Sequence, residues 1–282
     1  MAATDSTPST SPLRLATWNV NSIIPRMPRL LEWLERIRPD VVCLQETKIA
    51  DEKLPRLELS GLGYEAVAAG QGAWNGVALL SRIGIDDVSR GLTGDEGWEG
   101  SVEARAIGAT CGPLRVWSLY VPNGREPGHP HYAYKLRWLA ALHGVAAAEL
   151  QRGQPLALCG DFNVAPADAD VWDPAAFTDS THVTPAEREA LARLRDLGLH
   201  DILPRPLKHD YPFTYWDYRA GNFHKNLGMR IDLVYVSASL ADAVGDAYVD
   251  RDMRKGKLPS DHAPVVVDFD GVAAGMRTTV TG

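Results

Sequence analysis

The sequence predicts an α/β protein in which a mixed β-sheet core is covered by helices, and two observations lead there. Seven apolar, strand-length runs recur along the chain, rich in Val, Leu, Ile and aromatic residues. Between some of them lie stretches of helical period, whereas others are arranged as hairpin-like strand pairs.

LRLATWNV (13–20) is the first strand, followed by PRLLEWLERIR (28–38), where Leu30, Leu31, Leu34 and Ile37 share a helical face. DVVCLQE (40–46), GVALLSR (76–82) and LRVWSLYV (114–121) read as strands, and YAYKLRWLAALHGVAAAEL (132–150) as a long helix. PLALCGDFNV (155–164) is the next strand, and TPAEREALARLRDLG (184–198) a helix with Thr184 and Glu187 at capping-box spacing. RIDLVYV (230–236) and APVVVDF (263–269) complete the set. No break in composition marks a linker and no internal repeat is visible, so 282 residues fit one large domain. Residues 1–12, small, hydroxylated and proline-broken, are expected to be a disordered tail, and 271–282 a flexible one.

Composition narrows the function classes. The longest apolar runs are strand-sized, so no membrane association is expected, and the opening residues lack the basic start and apolar centre of a secretory signal. Cys43, Cys111 and Cys159 form no CxxC pair, and Cys43 and Cys159 sit in apolar runs, as reduced thiols of a cytoplasmic protein would. A net charge of −7 argues against coating nucleic acid by bulk attraction. A local basic arc is still available in RDMRKGK (251–257), with Lys208, Arg219, Lys225 and Arg230 before it.

Chemistry is concentrated where strands end. Side chains alternate across a strand, so Leu13, Leu15, Thr17, Asn19 and Asn21 share a face, as do Val42, Leu44 and Glu46. Leu114, Val116, Ser118 and Tyr120 form a third set; PLALCGDFN runs into Asp161 and Asn163, and Asp232 lies on the face of Val234 and Val236. Any one of these is ordinary as a polar residue stepping into solvent. Together they make a set of acids and amides, with a tyrosine and a histidine, suited to a hard divalent cation with oxygen ligands. No His/Cys cluster has zinc spacing, so Mg2+ is expected, with Mn2+ as a substitute, and a phosphate ester as the substrate. In this reading Asp161 is the base, Glu46 holds the metal, and Asn19, Asn163, Tyr120 and His262 donate hydrogen bonds. In PSDHAPVV (259–266) the neighbours Asp261 and His262 point to opposite faces, so another carboxylate must orient the ring. Asp232 is that candidate, since it would be costly unpaired on an apolar face; a pairing of Asp232 with Arg230 is the alternative.

TWNVNS (17–22), LQETK (44–48), WNGVALLS (74–81), YVPNG (120–124), GDFNVAP (160–166), FTYWDYR (213–219), GMRIDLVYV (228–236) and SDHAPVVVDF (260–269) stand in this order. In that order they resemble the exonuclease III family of abasic-site endonucleases, within the endonuclease/exonuclease/phosphatase superfamily, over one domain spanning 13–270. The resemblance implies a DNase I-like four-layer α/β sandwich, two packed mixed sheets flanked by helices. It implies a Mg2+-dependent DNA repair nuclease that cuts duplex DNA 5′ to abasic sites and trims damaged 3′ ends, and a monomer is expected. By position, Glu46 matches the metal-binding glutamate, Asn19 the asparagine that opens the site, and Tyr120 the tyrosine near the scissile phosphate. Asp161 matches the proton donor/acceptor, Asn163 the stabilising amide and Asp232 the acid orienting the histidine. Asp261 matches a further acid of the metal network and His262 the phosphate contact. Asn19, Asp161, Asn163 and His262 are also counted with the metal shell. Asn21 stands where relatives carry Asp, and Met229 and Ile231 where some relatives place a bulky aromatic or leucine in the pocket for the base-less sugar.

Substrate contacts are expected from Asn21, Asn123, Arg125, Asn226, Met229 and Arg230, with Arg254 and Lys255 tracking phosphates. In FTYWDYR, the resemblance implies that Tyr215 or Trp216 walls the flipped base-less sugar, although an aromatic-rich core strand is an equally ordinary explanation. A phosphoesterase acting on inositol phosphate, phospholipid or an RNA end is the alternative function, and a catalytically silent binding module a third.

Overall fold

The computed structural model describes residues 12–272, so the expectations for 1–11 and 273–282 lie outside the described residues. In chain order the main elements are β1 (Leu13–Asn19), α1 (Ile23–Ile37), β2 (Val41–Gln45), α2 (Arg56–Gly61), β3 (Glu65–Ala69), β4 (Val77–Ser81), β5 (Asp86–Arg90) and β6 (Ala106–Cys111). There follow β7 (Leu114–Tyr120), α3 (Pro130–Gln151), β8 (Leu156–Asp161), α4 (Pro185–Asp196), β9 (His200–Asp201), β10 (Arg205–Pro206), β11 (Asp232–Val236), β12 (Val244–Val249) and β13 (Val265–Phe269).

The strands form two mixed sheets, ordered β10-β12-β13-β1-β2-β4-β3 and β5-β6-β7-β8-β11-β9. Three layers of contact separate four layers of structure. Leu15, Val41 and Cys43 of the first sheet meet Val116, Cys159 and Val234 of the second, which makes the central core. Trp18, Val42 and Leu44 pack outward on Leu30, Trp33 and Leu34 of α1. Trp117, Leu119 and Leu158 pack outward on Trp138 and Leu142 of α3 and Leu191 of α4. The three cysteines are free and buried, as the apolar runs around Cys43 and Cys159 predict for those two.

Each sheet carries a parallel central pair, β1 with β2 and β7 with β8, and each pair is linked by its own crossover helix, α1 or α3. The carboxyl ends of all four strands therefore open on one rim, where ligands gather in open α/β sheets. β11 and β13 are antiparallel to their neighbours and so begin at that rim. In the tight β7–β8 pairing Gly160 lies opposite Leu119, and a Cβ there would stand 1.9 Å from the Leu119 carbonyl oxygen.

Helix α1 begins five residues earlier than its amphipathic pattern suggests and includes Pro28. Proline at a helix start is common, which makes 28 look like the first residue. The true first turn is instead pinned by Ser22 N–H to the Glu46 carbonyl (2.7 Å) and Ile23 N–H to the Thr47 carbonyl (3.1 Å). The capping box of α4 forms: the Thr184 hydroxyl accepts from Glu187 N–H, and Glu187 accepts from Thr184 N–H. Strands such as β5, with exposed and charged DDVSR, carry no apolar signature and are organised by pairing with β6 and by hydrogen bonds from Arg115 to the Asp87 carbonyl and the Ser89 hydroxyl.

Candidate active site

The rim gathers Asn19 from the end of β1, Glu46 just past β2, Tyr120 from the end of β7 and Asp161 from the end of β8. Asp232 opens β11, and His262 lies shortly before β13. Asn19 is fully buried, and its amide Nδ2 donates both to Glu46 Oε1 (2.8 Å) and to Asp161 Oδ2 (2.9 Å). One side chain thus holds two carboxylates apart at a fixed spacing. The backbone N–H of Asn163 fixes the other Asp161 oxygen, Oδ1, at 2.9 Å.

Strand alternation alone misplaces Glu46, because it puts this residue with Val42 and Leu44 on the helix-facing side. The backbone corrects it. Glu46 adopts φ 52°, a left-handed conformation that turns the side chain back toward Asn19. Such a conformation costs of order 1–3 kcal/mol for a residue other than glycine and concentrates at functional sites. Asn21, Lys48 and Asn163 also have positive φ. The bends are held by Thr47 N–H to the Gly76 carbonyl (3.1 Å) and Lys48 N–H to the Asn75 carbonyl (2.9 Å).

His262 and Asp232 are hydrogen-bonded, Nδ1 to Oδ2 at 2.7 Å, and Arg230 is not part of the pair. The other ring nitrogen, Nε2, faces Asp161 Oδ2 at 3.8 Å, beyond a direct hydrogen bond. Burial acts to lower the His262 pKa, but the Asp232 and Asp161 carboxylates together with the Nδ1 hydrogen bond raise it to about 10. The ring is then an imidazolium with two N–H donors, better suited to a phosphoryl oxygen than to a cation. Asp261 faces elsewhere: its Oδ1 accepts from the Asn21 amide at 3.0 Å. Asn21 in turn accepts from Lys48 (2.6 Å), whose ammonium also pairs with Glu46 Oε2 at 2.7 Å.

Burial pushes Asp161 up to about 7, with Asp232 and Glu46 acting the same way and His262 and Asn19 opposing. Glu46 differs, since Lys48 and Asn19 outweigh its burial and hold it below the usual carboxylate range. Tyr120 is kept a phenol by burial and the Glu46 charge, despite the Arg105 guanidinium 4.7 Å from its ring centroid. Ligand atoms of Glu46, Asp161 and His262 lie within 4.8 Å of one another. Two of the three are carboxylates, so this donor set fits a small oxygen-seeking cation, with Glu46 and Asp161 the residues to hold it.

Beside this centre opens a cleft of about 580 Å³ whose walls include Asn123, Arg125, His182, Tyr215 and Met229. Asn123 reaches Asn163 Oδ1 (3.3 Å) and so joins cleft to centre. Tyr215 lies with its ring centroid 4.9 Å from that of His262.

Four expected substrate contacts are corrected. Trp216 is fully buried in the central core, because the strand-like alternation of this segment sends Tyr215 to the cleft and its neighbour inward. Asn226 lies behind it, its Oδ1 accepting from Trp216 Nε1 at 3.3 Å, and is not in the cleft wall. Arg230 is buried between Asp170 (2.6 Å) and Asp201 (3.0 Å). Arg254 is buried too, donating to the carbonyls of Ser260 and Trp216 and tying together the two loops that carry His262 and Tyr215. Lys255 remains half exposed, paired with Asp252 at 2.5 Å.

Sequence reasoning missed the charged residues that support the site. Arg105, paired with Glu103 at 2.6 Å, stacks under Tyr120 from a segment with no visible motif. Lys48, within LQETK, bridges Glu46 and Asn21, a role that no local signal announces. Lys135 had a readable signal, a lysine on the helix face of Trp138, Leu139 and Leu142, and it proves fully buried.

A profile described as the Endonuclease/Exonuclease/phosphatase family matches residues 16–262. Exodeoxyribonuclease III of Haemophilus influenzae is 32% identical over 270 residues, covering 91% of this chain and 100% of its own. Among solved structures, the 3′ phosphatase NExo from Neisseria bound to product DNA hairpin is 39% identical with a TM-score of 0.87, covering 92% of this chain and 99% of that one. An AP endonuclease from Archaeoglobus fulgidus is 35% identical with a TM-score of 0.85, with the same 92% and 99% coverage.

Proposed function

This chain belongs to the endonuclease/exonuclease/phosphatase family and is a nuclease of its exonuclease III type, and on that basis we propose a Mg2+-dependent DNA repair enzyme that cuts 5′ to abasic sites and trims 3′ ends. It acts on duplex DNA as a cytoplasmic monomer. The observation that carries the reading is the convergence of Glu46, Asp161 and His262 within 4.8 Å beside a cleft of nucleotide size. Support for the 3′-end activity comes from the 39%-identical 3′ phosphatase, and for incision from the AP endonuclease of Archaeoglobus. Among the described residues no helix is long and apolar enough to cross a membrane.

Glu46 and Asp161, with Asn19 between them, would hold Mg2+, and Asp261 would add charge from the Asn21 side. When bound, the cation supplies charge neutralisation to the phosphoryl oxygens. Asp161, its carboxylate oriented by the Asn19 amide and the Asn163 N–H, takes the proton of the attacking water. His262, oriented by Asp232, donates Nε2–H to a non-bridging phosphoryl oxygen. The Asn163 amide is fixed by its Nδ2–H to the Val121 carbonyl (2.9 Å) and its Oδ1 to Asn123, which leaves its second N–H for the same centre. Tyr120 contributes a phenol O–H.

One preparation assayed with Mg2+ on abasic, recessed and 3′-phosphate duplexes tests this reading. Cleavage that EDTA abolishes is expected on all three. No metal-dependent cleavage on any of them would refute the proposal.

A further inference from the structure

Beneath the two asparagine loops lies an ion pair that no step above uses. Lys135 and Glu187 are both 0% exposed and in direct contact. The Lys135 ammonium also donates to the Asn163 carbonyl (2.7 Å) and the Asn123 carbonyl (3.2 Å), with the Thr181 hydroxyl at 3.2 Å. Glu187 Oε1 further accepts from the Thr181 hydroxyl (2.7 Å) and His182 N–H (3.0 Å), while Oε2 accepts from Thr184 N–H (3.0 Å). The His182 ring Nδ1 reaches the Asn163 carbonyl at 2.5 Å, so that oxygen is held from two sides.

A buried ion pair is a poor stabilising device, since apolar residues of equal volume often serve as well or better. Its position gives it another use. Asn163 sits at φ 50°, a conformation that has to be imposed, and its N–H fixes the Asp161 carboxylate while its side chain meets Asn123. Whatever holds the Asn163 carbonyl therefore sets three groups at once: Asp161, Asn163 and Asn123. Among the described residues the ammonium is the one charged donor that reaches both loop carbonyls, and α3 carries it as a rigid support.

We propose that Lys135 is a positioning residue for the reaction, anchored by Glu187, which holds the 161–163 and 123–124 loops so that Asp161 and Asn163 face the phosphoryl centre. The catalytic part of this inference rests on the function proposed above; the part concerning loop order does not.

Lys135→Met alone leaves Glu187 buried and unpaired, so the informative protein is Lys135→Met/Glu187→Gln, which removes both charges and keeps a residue suited to the α4 capping box. Steady-state cleavage and amide hydrogen exchange are measured on this variant and on wild type. The expected result is kcat lower by about 10- to 100-fold with KM changed less than about threefold, since displacing reacting groups by an ångström costs that much. Exchange should quicken about tenfold at 123–125 and 161–164 while β1 and β2 keep wild-type rates. Wild-type kcat with unchanged loop exchange overturns the proposal, and so does uniformly faster exchange with a lowered melting temperature, which marks a purely structural pair. If wild type itself cleaves none of the three duplexes, the proposed function fails, while localised exchange in the variant still supports the loop-holding role.

Discussion

At the scale of single residues, the proposed chemistry turns on the hydrogen bond between His262 and Asp232. If the ring donates to the phosphoryl oxygen as proposed, His262→Ala removes a charged donor and should lower kcat by about 100- to 1,000-fold. Asp232→Asn keeps the shape but removes the orienting charge and should cost about 10- to 100-fold, with a shifted pH–rate profile. A wild-type pH profile for Asp232→Asn would break the assignment. Asp161 and His262 also make stability depend on pH. Asp161 titrates above its ordinary range, so its uncharged form contributes stability that is complete in acid and is lost as pH rises through about 7. The raised imidazolium of His262 contributes fully below the ordinary histidine range, and this is lost as pH rises through about 10. A cation at Glu46 and Asp161 competes with the Asp161 proton. The gain in melting temperature on adding Mg2+ should therefore be larger at about pH 8 than at about pH 6, as differential scanning fluorimetry would report. An equal gain at both would place the ion elsewhere. Much of this site was legible, because acids and amides ending apolar strands are unusual in combination. The bends at Glu46 and Asn163 were not, since local sequence does not specify a positive φ that distant hydrogen bonds impose.

At the scale of elements, two parallel strand pairs do the positioning, and their close approach makes specific demands. Gly160 can lie against Leu119 only because it has no Cβ. Gly160→Ala should destabilise the fold by about 3 kcal/mol in urea unfolding, and should lower activity through the adjacent Asp161. A neutral substitution would show that β7 and β8 separate easily. Long helices and buried strands were readable from periodicity and apolar content. Edge strands were not, because DDVSR owes its strand conformation to β6 and not to its own residues. Arg254 makes the complementary point. Within RDMRKGK it looks like a phosphate contact, yet its neighbours turn it inward to brace two loops, while Lys255 and Lys257 stay at the surface.

At the scale of the whole molecule, a net charge of −7 has to coexist with a polyanionic substrate. In the proposed function duplex binding draws on cations that line the cleft and its neighbour, among them Arg125, Arg219 and Lys255. Arg125→Gln with Lys255→Gln should flatten the dependence of duplex affinity on log salt by about 0.9 per lost phosphate contact. Arg254→Met should lower the melting temperature and leave that slope unchanged; fluorescence anisotropy across a salt series distinguishes them, and a flattened slope for Arg254→Met would contradict its buried role. The sequence by itself determined the strands, the long helices and the identity of the residues that end on the rim, because burial and hydrogen bonding leave local signatures in residue type and period. Only the tertiary structure decided which way Glu46 turns, that Trp216, Arg230 and Arg254 face inward, and that Lys135 and Glu187 meet behind the site. Those outcomes depend on partners dozens of residues away, whose contacts outweigh the preference of any short segment.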